Sequence, residues 1–91
     1  MRYSIETSKK FEKHLKRCIK RGLDMSKFRK CVSILAENGS LPPEYKPHVL
    51  KGKYAGIWEC HIEFDWLLLW KQDDHKLTLL MVDTGTHSDV F

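Results

Sequence analysis

Long apolar runs are missing from this 91-residue chain: the longest, Trp66 to Trp70, is far too short to cross a bilayer, and the N-terminus lacks the apolar core of a signal peptide. Cysteine is scarce as well. Cys18, Cys31 and Cys60 are an odd number with no C-x-x-C spacing, so neither a disulfide framework nor a thiolate zinc site is indicated, and a reduced, cytoplasmic setting is expected. There is no repeat, linker or low-complexity segment. Residues 1–91 therefore form one domain around one core, near the lower end of what folds unaided. Acidic residues are few in the first half. Residues 1–40 hold 11 basic and 4 acidic side chains, residues 41–91 hold 5 and 8, and the whole carries +4. The positive charge is concentrated where a polyanionic partner could meet it.

What is present divides into helices and then strands. Tyr3 and Ile5 alternate with polar residues over 2–6, which suits a short opening strand. Thr7 or Ser8 offers an N-cap, Phe11, Leu15, Cys18 and Ile19 form one apolar helical stripe, and Gly22 closes the helix. Asp24 caps a second helix with the stripe Phe28, Cys31, Val32, Leu35 and Ala36, ended by Gly39. The connection is short, so the two pack as an antiparallel hairpin. The proline-rich stretch 41–47 reads as an irregular crossing to three strands at about 56–63, 66–72 and 77–82, the middle one apolar on both faces and hence central. The fold class is α+β, in the order β-α-α-β-β-β, with the helices on one face of a largely antiparallel sheet.

Read as a hairpin, Trp58 to Trp70 places His61 near the end of one strand and Asp65 and Trp66 near the start of the next, and His87 can return to the same end of the sheet. With His48 this makes three imidazoles and a carboxylate at strand ends or in loops, a set that an ordinary core does not select. Acid–base transfer suits them, because one imidazole can accept a proton while another donates. RNA carries its own nucleophile, the 2′-hydroxyl, so an enzyme cutting it needs a base, an acid and cations around the phosphate, without a metal or other cofactor. A zinc site is the rival use of the same residues, though no H-x-x-x-H pair supports it. His14 and His75 read as solvated bystanders. Between positions 9 and 21 seven basic residues face the single Glu12, which favours phosphate contacts by Lys9, Lys10, Lys13, Lys16 and Arg17 over internal neutralisation. Most of the aromatics belong to the core. Trp66, beside Asp65, and Phe91, at the terminus, are the candidates for touching a base.

Three stretches carry a resemblance: 41–52 (LPPEYKPHVLKG), 59–70 (ECHIEFDWLLLW) and 84–91 (TGTHSDVF). Over nearly its whole length the chain resembles the YafQ-type toxins of the RelE/ParE superfamily, the ribosome-dependent messenger-RNA endonucleases of bacterial toxin–antitoxin pairs. The resemblance implies that His48, His61, Asp65 and His87 form the acid–base cluster and that Trp66 and Phe91 position the RNA. Lys51 and Lys53 are further candidates for RNA contact and, with Lys71, for offsetting the charge of Asp83. It further implies a 2′,3′-cyclic phosphate product, contacts with messenger and ribosomal RNA, and an inhibitory antitoxin whose complex binds its own promoter DNA. Two positions depart from the family pattern: Phe64 stands where proline is usual, and Asp83 where arginine is usual. An aspartate facing the transferring phosphate would repel it, so the alternative expectation is a weakened or inactive member that keeps antitoxin and RNA binding, and Asp83→Arg is then expected to raise cleavage.

Overall fold

A computed structural model describes residues 2–91. A short strand β1 (Ser4–Thr7) leads into helices α1 (Lys9–Lys20) and α2 (Met25–Asn38), followed by strands β2 (His48–Val49), β3 (Trp58–Glu63), β4 (Trp66–Asp73) and β5 (Thr78–Gly85) and a terminal turn of helix, α3 (His87–Val90). The sheet order is β1-β5-β4-β3-β2. Only β1 and β5 run parallel; the other pairs are antiparallel.

The helix boundaries follow from side-chain chemistry. The Ser8 hydroxyl accepts the Phe11 N–H at the start of α1, and the Asp24 carboxylate accepts the Ser26 N–H at the start of α2, each satisfying a donor the helix leaves unpaired. Gly39 ends α2 in the left-handed region (φ 69°), and a Cβ there would lie 2.5 Å from the Tyr3 hydroxyl, so both the backbone and the packing ask for glycine. The helices meet through the Phe11 and Phe28 rings, 6.1 Å apart, with α1 along β5 and α2 over β3.

Strand β4 is the middle strand, and residues 66–70 are all buried, as its unbroken apolar run requires. Because side chains alternate across a strand, Trp66, Leu68 and Trp70 join the main core under the helices, while Leu67 and Leu69 join a smaller cluster with Val90, Leu50, Ile57 and Val82. That second cluster seats α3 against the sheet.

The structure adds elements to the expected order. A fifth strand, β2, emerges from the proline-rich crossing; β5 continues to Gly85 rather than ending at Val82; and the terminus turns into α3. Ile19, expected on the apolar stripe of α1, is 53% exposed, because the helix rotates His14 rather than Ile19 towards the sheet.

Candidate active site

The hairpin between β3 and β4 builds one side of the site. His61 pairs with Leu67 across the hairpin, the register shifts by a bulge between His61 and Glu63, and Phe64 and Asp65 form the turn. Bulges re-aim side chains, and this one sits beside His61. The other side comes from β5, which delivers Thr86 as the cap of α3 and His87 as its first residue. His87 Nδ1 lies 2.6 Å from Asp65 Oδ1, and the same oxygen accepts the His87 backbone N–H at 3.0 Å. Those two contacts, the backbone one foremost, hold the Asp65 carboxyl below its usual range. With Nδ1 donating to the carboxylate, Nε2 of His87 is left for a reacting group.

The His61 ring is 5.8 Å from that of His87, centroid to centroid. Its Nδ1 faces the Phe64 carbonyl at 3.2 Å, and its Nε2 lies 3.9 Å from Glu59 Oε1. His48, on β2, stands directly opposite Glu59 on β3, with Nε2 3.2 Å from the same Oε1 and Nδ1 2.9 Å from the Lys46 carbonyl. Both ring nitrogens of His48 face acceptors, and both can donate only when the ring carries two protons. The cluster is thus a file: His48, Glu59, His61, then His87 and Asp65. Glu59 is only 5% exposed, whereas His87 and Asp65 are about half open to solvent, so the His87–Asp65 end of the file faces outward and the buried acid lies behind it. Among the described residues no three His, Cys, Asp or Glu side chains are grouped as metal ligands would be. The three thiols are free and buried, and Cys31 and Cys60 face each other at 3.8 Å in the core.

All four nominated cluster residues, His48, His61, Asp65 and His87, therefore come together at one end of the sheet. Trp66 does not join them as a base-contacting residue. It is 2% exposed, stacks on Phe28 at 6.3 Å and donates its indole N–H to Thr84 Oγ1, because the residue that opens a central strand turns inward here. Phe91 is 52% exposed and meets Tyr54 edge-on at 5.2 Å, with Lys53 over the Tyr54 ring. Lys9, Lys13, Lys16, Lys51 and Lys53 are exposed. Lys10 and Arg17 are partly engaged in ion pairs with Asp83 and Asp89.

Asp83 also departs from expectation. It does not stand open to a phosphate: it is 1% exposed, with Oδ1 2.6 Å from His14 Nδ1 and accepting the Thr84 N–H, and Oδ2 3.3 Å from Lys10 Nζ without hydrogen-bond alignment. His14 is accordingly no bystander. It lies three residues after Phe11 and four before Cys18, on the buried side of α1, and that spacing was the available signal. A lone acid in an alternating strand looks like a solvent-facing residue; only its register with His48 shows that Glu59 sits buried between the His48 and His61 rings.

A two-helix layer on a mostly antiparallel five-stranded sheet is the architecture of small toxins of known structure. The family model described as the bacterial toxin of type II toxin–antitoxin system, YafQ, matches residues 3–91. The chain is 38% identical over 88 residues to the mRNA interferase toxin YafQ of Escherichia coli (strain K12), covering 96% of this chain and 94% of that one. Among solved structures it is similar to the toxin in the E. coli DinJ-YafQ toxin-antitoxin complex (36% identity, TM-score 0.88, 100% and 99% of the two chains). It is also similar to a metal-bound toxin from Helicobacter pylori (43% identity, TM-score 0.88, 98% and 99%). The chain belongs to the YafQ family of type II toxins.

Proposed function

We propose that this toxin is a ribosome-dependent messenger-RNA endonuclease that works by acid–base transfer without a metal. The carrying observation is the 2.6 Å contact of His87 with Asp65 beside the His61 ring, with Nε2 of His87 directed away from that contact. One imidazole takes the proton of the RNA 2′-hydroxyl as that oxygen attacks phosphorus. The other gives a proton to the 5′-oxygen as the phosphorus–oxygen bond breaks, leaving a 2′,3′-cyclic phosphate. Asp65 orients His87, and His48 backed by Glu59 supplies positive charge beside the phosphate when doubly protonated.

Lys9, Lys13 and Lys16, with the free parts of Lys10 and Arg17, hold ribosomal RNA, while Lys51 and Lys53 hold the message and Phe91 stacks on it, a reading supported by the exposure of all three side chains. The activity takes place in the cytoplasm, where the ribosomes are. The E. coli relative is found in a complex with DinJ, which supports an antitoxin as the partner here. An acidic segment that folds on binding the basic surface would inhibit the toxin, and the pair would bind its own promoter DNA. The alternative, a weakened member, rested on Asp83 opposing the phosphate. Its carboxylate is buried against His14 and beside Lys10, which turns the negative charge away from the phosphate, while the cation that an arginine would supply at this position is not replaced by Asp83 itself.

Analysis of the 3′ ends cut from ribosome-bound message in chelator tests the proposal. Cyclic phosphate ends are expected. Ends bearing a free 3′-hydroxyl, or cleavage that disappears in chelator and returns with zinc, would replace it with metal-assisted hydrolysis.

A further inference from the structure

Helix α1 carries two parallel files of basic side chains, each at the spacing i, i+4, i+7, i+11. Lys9, Lys13, Lys16 and Lys20 face solvent. Lys10, His14, Arg17 and Arg21 instead meet two carboxylates from the other end of the chain. Lys10 and His14 hold Asp83, while Arg21 takes Asp89 with both terminal nitrogens, at 2.5 and 3.2 Å, and Arg17 adds a contact at 3.4 Å. Asp89 is only 11% exposed at its side chain and has further work. It accepts the Thr86 N–H, its own N–H donates to Thr86 Oγ1, and the close approach of Gly85 (φ 147°), where a Cβ would lie 2.8 Å away, brings the chain onto it. His87 lies between these two anchored carboxylates, on a helix of four residues that cannot hold its own shape.

We propose that Arg21 and Arg17, through Asp89, and Lys10 and His14, through Asp83, are positioning residues: one file of α1 fixes both ends of segment 83–89 and so sets His87 against Asp65. The proposal rests on the acid–base reading only for its effect on rate. The same helix thereby serves two tasks, one file for the catalytic segment and the other left free for polyanion.

The test is the titration of Asp65, followed by carbon NMR of its carboxyl in Asp89→Ala and in Asp89→Asn, which keeps the shape of the cap. The groups facing Asp65 are the His87 ring and N–H, which lower its pKa, and the charge of Asp89, which raises it. Removing that charge alone must therefore lower the midpoint, whereas loss of the His87 contact must raise it. A rise in either variant is the expected result. A fall, or no change, in folded protein would overturn the clamp and leave Asp89 a merely structural acid. In the same variants single-turnover cleavage should slow on the order of tenfold with KM little changed, and Arg21→Lys should retain more rate than Arg21→Ala. Wild-type protein that cut no message would remove the proposed function, while the Asp65 titration would still decide the clamp.

Discussion

Asp83 shows how much a single side chain changes meaning once its neighbours are known. Its sequence position suggests a negative charge aimed at substrate, yet the carboxylate is enclosed by α1, in contact with His14 and beside Lys10. Asp83→Arg should accordingly damage the fold rather than improve cleavage, because it removes the buried acceptor of the Thr84 N–H and of the His14 contact and sets a guanidinium beside Lys10. Leaving buried donors without their acceptor costs about 1–3 kcal/mol, and denaturant unfolding of the two proteins measures it. An arginine variant as stable as its parent would show that the site opens to solvent. Other residues were more legible. The convergence of His61, Asp65 and His87 was readable because a hairpin brings the end of one strand to the start of the next and the following strand returns to the same end of the sheet. Trp66 misleads through its neighbour: Asp65 lies in the exposed turn, but one residue later the central strand begins and the indole swings into the core.

At the scale of elements, the helices, the central strand and the hairpin were readable from capping residues and apolar spacing, while β2 and α3 were not. A two-residue strand between prolines has no periodicity to detect, and a single terminal turn depends on tertiary contacts. Those contacts give α3 a pH signature. The Arg21 guanidinium, foremost, holds the Asp89 carboxyl well below the usual carboxylate range, so the unfolded chain takes up that proton first as pH falls. Stability from the pair is fully present above an unfolded value of about 3.9 and is lost as pH descends from there through the folded value. Asp89→Asn should therefore cost stability at pH 7, and its gap to wild type should shrink by pH 2. Unfolding midpoints in urea at the two pH values would show this; an equal gap at both would mean that the ion pair contributes nothing beyond the cap.

For the molecule as a whole, the surplus of positive charge in the first half is only partly neutralised from the second. Asp83 and Asp89 occupy one file of α1, leaving Lys9, Lys13, Lys16 and Lys20 without ion pairs to either acid, and this charge should appear as salt dependence of ribosome binding. Four phosphate contacts correspond to a slope of log K against log salt of roughly −3, and reversing two of the lysines should flatten it by about half. A slope near zero would return the file to ordinary solvated surface. The chemistry itself is tested most directly by the pH dependence of single-turnover cleavage of ribosome-bound message in chelator, for wild type and for His61→Ala and His87→Ala. Two imidazoles with opposite tasks predict a bell-shaped profile for wild type, and for each variant a loss of about 100-fold or more with one limb of the bell removed. A profile that stays flat across the histidine range, or variants that cleave as fast as wild type, would contradict the account.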